Sequence, residues 1–417
     1  MTPNAMKRAL AHPLALGVAS LAFCFAFTWV FWPLWALSAK ALIQSSAATG
    51  LAMVAPEVAD KFARLFAEAT FFWIIIVSWI WQSLVFGGYG KNWLTERQPW
   101  AGLWYSAVAV VTGISGFLLF IAFPGLWWKP FNLAILMAPS SAHEVELAIQ
   151  GWEASNFYSL ACIVAQASYV ALFKKWPFGD KVTAALEGFG TMMTSTVFAL
   201  LFWLALVVPS LLEISIGGEP AVTPPFGSFA KLTAFCQGFI LVCLIPAEGG
   251  EQYPGRLFAK SQPGMGLVTF AIALLSGFLL PELMRPLVLA LDLLPGAPAD
   301  VVIASLLLSI IVAMLLWHHL FSDYPSARIV PSAGLRALIR LAIWVSSGLV
   351  YGVIWLKAYK LVPWGGNGLG LGVPGAGVLA GQFVFLTLAL WFNTFFGKWP
   401  LVSSGAQPVA TSAPLPA

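Results

Sequence analysis

Residues 301–316 read VVIASLLLSIIVAMLL, an apolar run broken only by two serines and free of Asp, Glu, Lys and Arg. A helix of this composition has no polar face to turn to water, so lipid or other helices of the same kind must solvate it. Four more stretches share the character: Leu14–Leu37, Phe71–Phe86, Leu103–Phe123 and Phe189–Leu212 contain no charged residue. A helix needs about 20 mostly apolar residues to cross a hydrocarbon core of roughly 30 Å, and each stretch reaches or approaches that length. The whole 417-residue chain agrees, with 60% hydrophobic and 9% charged residues, against about 25% charged in soluble domains. The fold class is therefore an all-α, polytopic membrane bundle.

Extending the same reading gives ten spans, at 14–38, 68–87, 102–124, 157–173, 188–211, 232–247, 265–281, 301–320, 337–356 and 375–396. The first is expected to be a retained span. It follows the positive start of a secretory signal (Lys7, Arg8), but its apolar run exceeds the 7–15 residues of a signal peptide core. Cytoplasmic loops retain Lys and Arg. With the N-terminus inside, the inner segments hold 13 of the 21 cations and the outer ones 8. That bias favours both termini in the cytoplasm, and the expected location is the cell (inner or plasma) membrane.

An internal pattern accompanies the threading. Five apolar runs end at Trp93-Leu94, Trp176-Pro177, Tyr253-Pro254, Tyr324-Pro325 and Trp399-Pro400, spaced by 83, 77, 71 and 75 residues. Such spacings fit two spans and two loops. Arg97-Gln98-Pro99-Trp100-Ala101-Gly102-Leu103 also resembles Ser261-Gln262-Pro263-Gly264-Met265-Gly266-Leu267. Proline stops a helix and an interfacial aromatic anchors it, so convergent termination accounts for the pattern. A two-helix hairpin repeated in parallel orientation accounts for it equally. Residues 1–402 form one membrane domain, with short amphipathic helices in the outer loops such as Ala142–Ala154. The tail, 403–417, is small, polar and proline-rich, a composition of disordered chain.

Several chemistries find no support in the residues. Charge at the bilayer centre costs roughly 2.5 kcal/mol or more and marks ion paths and proton relays. In this threading every charged residue lies in a loop or near a span end. No G-x-x-x-x-G-K-[ST] occurs. The run Gly365-Gly366-Asn367-Gly368-Leu369-Gly370-Leu371-Gly372 lacks the strand and βαβ unit of a dinucleotide loop. Cys24, Cys162, Cys236 and Cys243 fall inside spans with no C-x-x-C spacing, which reads as apolar packing. Of the four histidines, His12, His143, His318 and His319, the last two are adjacent and point about 100° apart on a helix. They are not expected to share one ligand face, and no other span offers a partner for a bis-histidine haem. His143, with Glu146 and Gln150, reads as a solvated helix face. No metal, cofactor or nucleic acid is expected.

Neutral polar groups remain. Gln82, Gln166 and Gln237 lie in spans two, four and six. Span five carries Thr191, Thr194, Ser195 and Thr196, of which Thr191, Thr194 and Ser195 share one helical face. Such groups serve as interhelical glue, but four hydroxyls in six positions exceed what packing needs. Thr191, Thr194, Ser195, Gln82, Gln166 and Gln237 are thus the candidate substrate pathway. The expected function is a transporter or permease for a small neutral or zwitterionic solute. The alternatives are a non-catalytic membrane subunit of a larger complex, with partner subunits around it, and a membrane enzyme acting on lipid through Glu248, Glu251, His318 and His319.

Overall fold

The computed structural model describes residues 12–88, 90–179, 182–211, 215–216, 219–220, 226–366 and 372–402. Among the described residues ten helices carry the fold: α1 Pro13–Ser46, α2 Pro56–Val85, α3 Trp100–Leu126, α4 Ala142–Phe173, α5 Ala184–Val207, α6 Phe229–Leu244, α7 Gly264–Leu291, α8 Ala299–Phe321, α9 Ala333–Leu361 and α10 Gly377–Thr394. Nine are long and apolar enough to cross a membrane, and α6 is a shorter apolar helix of 16 residues. The chain is an integral membrane protein built as an all-helical bundle. The only strand pairing among the described residues is a two-residue antiparallel contact, Ser215–Ile216 against Glu219–Pro220. The tail, 403–417, lies outside the described residues, as does the middle of the glycine-rich run.

The helices sort into two layers. In α1, α3, α5, α7 and α9 only 22% or 28% of the most apolar stretch is buried, against 61% to 78% in α2, α4, α8 and α10. α6 is buried without a break from Leu232 to Leu244. Odd-numbered helices therefore form an outer layer that offers Val18, Val197, Leu283 and Leu338 to lipid. Even-numbered helices form an inner ring. α4 packs on α2, α6 on α4, α8 on α6 and α10 on α8. The ring closes where Phe383 of α10 meets Phe72 of α2, ring centroids 5.9 Å apart. Each outer helix and the inner helix after it make one hairpin, five in all.

The hairpins are joined by a recurring contact. Each inner helix ends in two successive residues of left-handed backbone: Gly87-Gly88, Lys174-Lys175, Glu251-Gln252, Ser322-Asp323 and Gly397-Lys398. An aromatic and, in four cases, a cis proline follow. In hairpins one, two, four and five a phenylalanine precedes the pair and presses on an outer-helix glycine, where a Cβ would meet its ring within 2.6 Å. Phe86 lies on Gly188, Phe173 on Gly266, Phe321 on Gly17 and Phe396 on Gly102. In each case the outer helix belongs to the hairpin two places further round the ring.

The third hairpin obeys the same rule with different chemistry. Gly250 stands in the phenylalanine position, and Glu251 instead pairs with Arg336 and Arg340 of α9, at 2.8 and 3.3 Å. Two further joints are also alike. Gln98 Nε2 donates to the Phe395 carbonyl and Gln262 Nε2 to the Leu172 carbonyl, each at 2.8 Å, while each glutamine Oε1 accepts from a glycine N–H four residues on. All five inner-helix ends lie on one face of the bundle, here called the motif face, together with the N-terminal ends of the outer helices. The first repeat differs from the sequence reading. The residues aligned with Lys174-Lys175-Trp176-Pro177 are Gly87-Gly88-Tyr89-Gly90, not the region of Trp93-Leu94.

The helix ends also move. α2 begins at Pro56 rather than 68, and α4 at Ala142 rather than 157, because the amphipathic segments before these spans continue into them without a break. Glu68 consequently lies twelve residues inside α2, not at the end of a span.

Candidate functional site

The inner ring encloses two cavities in line. The first, about 190 Å³, lies toward the face opposite the motifs, between the first halves of α2, α4, α6 and α10. Its polar lining is Glu68, Glu153, Asn156, Thr233 and Gln237. The second, about 70 Å³, is bounded by all five inner helices and runs from Gln237 to Glu248. Apart from Gln237, Thr387, Glu248 and the indole N–H of Trp79, its wall is apolar, for example Ile80, Val164, Ile240, Ile311 and Leu390. Leu160, Gln237 and Phe383 line both cavities, so the two meet at their level. Neither lining contains Lys or Arg. Carboxylates stand at both ends, Glu153 paired with Lys61 at 2.9 Å and Glu248 facing His318 and His319.

The buried amides of the inner helices differ in whether they have partners. Gln166 is tied down: its Oε1 accepts from Trp81 Nε1 at 2.6 Å and its Nε2 donates to Thr196 Oγ1 at 3.3 Å. Gln382 is held between Ser305 and Ser309 of α8 at 2.9 Å each. Gln237 Oε1 and Asn156 Oδ1 are buried without a hydrogen-bond partner, and both residues line the wide cavity. Buried polar atoms are rarely left unpaired, and an orphan in a roomy polar cavity is where water or a solute binds.

Of the candidate pathway residues, only Gln237 lines this axis. Gln82 is buried on α2. Thr191 and Ser195 are buried on α5, an outer helix, and Ser195 Oγ donates to the Thr191 carbonyl of its own helix at 2.7 Å. Thr194 is half-buried on the same helix. The hydroxyl-rich face of α5 packs against the π-helical turn Ile163–Ala167 of α4. The structure therefore separates Thr191, Thr194 and Ser195 from Gln237 by a layer of helix. The unpaired Asn156 and the cavity carboxylates Glu68 and Glu153 escape a search confined to the most apolar stretches, since they sit on amphipathic extensions.

At the motif face the lumen ends on Glu248, in the segment after α6. His318 Nε2 lies 3.5 Å and His319 Nε2 3.7 Å from Glu248 Oε2. The two imidazoles thus converge on one carboxylate, contrary to the expectation from their adjacent positions. Their Cβ atoms do diverge on α8. Glu248 comes from a neighbouring segment and sits between them, so the ring centroids are 4.8 Å apart. Burial raises the Glu248 carboxyl above its ordinary value; the His318 charge opposes this and the Asp323 charge adds to it. Burial alone would raise Asp323 too. Its hydrogen bond to His318, with the charges of His318 and Arg340, outweighs burial and holds Asp323 below the ordinary range. Lys398, whose Nζ donates to the Leu320 carbonyl at 3.0 Å, is pushed down to about 8 by burial.

No family model matches the chain, and no curated protein or solved structure is significantly similar to it. The functional reading rests on the geometry.

Proposed function

We propose that the protein is a multi-pass permease of the cell membrane that passes a small neutral or zwitterionic solute between its five inner helices. The observation that carries this reading is the axial cavity. All five inner helices contribute to it, and its widest part holds two buried amide oxygens, on Gln237 and Asn156, without partners. A solute bound there replaces part of its hydration with these amides and with Thr233. The apolar wall from Ile80 to Leu390 then restricts passage to molecules that shed water cheaply. Substrate sites between helices near the middle of the bundle are the common arrangement in transporters. The absence of Lys and Arg from both linings supports a neutral or zwitterionic solute over an anion.

The test is solute permeation in proteoliposomes containing the purified protein alone. Vesicles shrunk osmotically with urea, glycerol, glycine or alanine are followed by light scattering as they reswell. Reswelling faster than protein-free vesicles is expected for at least one solute, with sulfate giving no acceleration. Reswelling no faster than protein-free vesicles for the whole panel, by folded protein, contradicts the permease reading and leaves the subunit reading in its place.

A further inference from the structure

We propose that Glu248, His318 and His319 form a binding site for one divalent transition-metal ion at the motif-face end of the lumen. The inference stands independently of the permease reading. Three donors from two separate segments, one carboxylate oxygen and two imidazole nitrogens, all lie within 4.8 Å of one another. A tetrahedral site with bonds of about 2.1 Å has donor separations of about 3.4 Å. The Glu248–His318 and Glu248–His319 distances, 3.5 and 3.7 Å, already match. The remaining edge, between the two imidazoles, is within 4.8 Å.

Two further observations point to an ion and not merely to a charged cluster. Glu248 is 92% buried, and its Oε2, the atom both histidines face, has no hydrogen-bond partner. A buried carboxylate oxygen without a hydrogen bond is costly; His318, 3.5 Å away, offers it only a long ion pair, whereas a metal ion that displaces the imidazole proton binds the oxygen directly. Each imidazole is also held by its other nitrogen. His318 Nδ1 lies 2.8 Å from Asp323 Oδ2, and His319 Nδ1 lies 3.0 Å from the Asn393 side-chain amide. A carboxylate on the far nitrogen fixes the tautomer that presents Nε2 as a lone pair, the usual support of a metal-bound histidine. The structure places Asn393 Nδ2 against His319 Nδ1; exchanging the amide nitrogen and oxygen, an assignment made from the hydrogen-bond network, lets Oδ1 accept from Nδ1–H and frees Nε2 in the same way.

Charge and access complete the case. Glu248 and Asp323 together balance a divalent ion. The nearby cations are engaged elsewhere: Arg340 on the Gly249 and Pro325 carbonyls and on Glu251, and Lys398 on the Leu320 carbonyl. Glu248 lines the cavity, so the site borders the lumen. Two imidazoles with one carboxylate select zinc, iron, cobalt or nickel over magnesium and calcium, which prefer all-oxygen sites.

The test is a titration of tag-free, chelator-stripped protein with Co2+ as the probe, read by its visible absorption bands, with fold monitored by thermal unfolding. Wild-type protein is expected to take up one equivalent, displaced by Zn2+ and not by Mg2+. His318→Gln and His319→Gln are expected to lose the spectrum. Asp323→Asn should weaken binding about 10–100-fold, the usual effect of removing an outer-shell partner. His143→Gln, an exposed histidine beside Glu146, should bind as wild type. Absence of stoichiometric Co2+ uptake by folded wild type overturns the proposal. So does full retention of the spectrum in the folded His318→Gln/His319→Gln double variant.

Discussion

Helices α5 and α6 carry polar side chains in comparably apolar surroundings, yet the bundle uses them in opposite ways. α5 has Thr191, Thr194, Ser195 and Thr196 within six residues and stands in the outer layer. α6 has Gln237 as its one amide and forms part of the lumen wall. The difference lies in what each group can satisfy by itself. A serine or threonine hydroxyl reaches the carbonyl four residues back on its own helix, as Ser195 does with Thr191, Ser309 with Ser305 and Thr28 with Cys24. It can be buried anywhere in the bundle at little cost. A glutamine amide has no such local partner, so its surroundings must supply one. Gln166 and Gln382 find partners on other helices; Gln237 Oε1 faces the cavity with none. Thr191 Oγ1 is itself buried without a partner but lines neither cavity, so hydroxyl density reports chiefly on packing, whereas an unpaired amide on a cavity wall reports on space meant for something else.

Substitutions sharpen this contrast, beginning with the largest effect. Gln237→Leu is expected to lower permeation about tenfold or more while leaving thermal stability equal or slightly raised, because it removes an unpaired buried oxygen. Liposome reswelling and thermal unfolding of the same preparation check both halves. A loss of stability in proportion to flux would make Gln237 a packing residue instead. Gln166→Leu should behave in the opposite sense. It strands the Trp81 indole N–H, so about 1–3 kcal/mol of stability is lost, with flux per folded molecule close to wild type. Chemical denaturation in detergent measures that loss. At the small end, Thr191→Val and Ser195→Ala should each cost about 0.6 kcal/mol or less, the average worth of such groups in a membrane bundle. Their flux should stay within about twofold of wild type. A flux defect in either at unchanged stability would return the pathway to α5.

Much of the fold was legible in the chain because lipid imposes a coarse rule. Long charge-free runs become apolar helices: among the described residues nine of spanning length and one shorter, Phe229–Leu244, lie where the ten spans are expected. The recurring helix-end motif was visible at Trp176-Pro177, Tyr253-Pro254, Tyr324-Pro325 and Trp399-Pro400. Its first copy was misregistered because Gly90 replaces the proline. The layering was not legible. α7 and α8 both carry long charge-free runs, yet 22% of the most apolar stretch of one and 78% of that of the other is buried. Lipid and protein solvate an apolar side chain equally well, so composition cannot separate them. The glycines that seat Phe86, Phe173, Phe321 and Phe396 held the missing information, but only as pairs between distant hairpins. The convergence of His318 and His319 on Glu248 was hidden likewise, since it depends on a neighbouring segment and not on the spacing of the histidines.

Thiol accessibility tests the central claim most directly, because it requires no knowledge of the solute. In a background with Cys24, Cys162, Cys236 and Cys243 replaced by alanine, all four being buried and unbonded, single cysteines are placed by Thr233→Cys, Gln237→Cys and Ser195→Cys. A small, charged methanethiosulfonate reagent reacts only where water reaches the sulfur. Rapid modification at 233 and 237, slowed by a permeant solute, with position 195 silent, is the result expected of a path between the inner helices. Modification at 195 with 233 and 237 silent would contradict it and move the path to the outer layer.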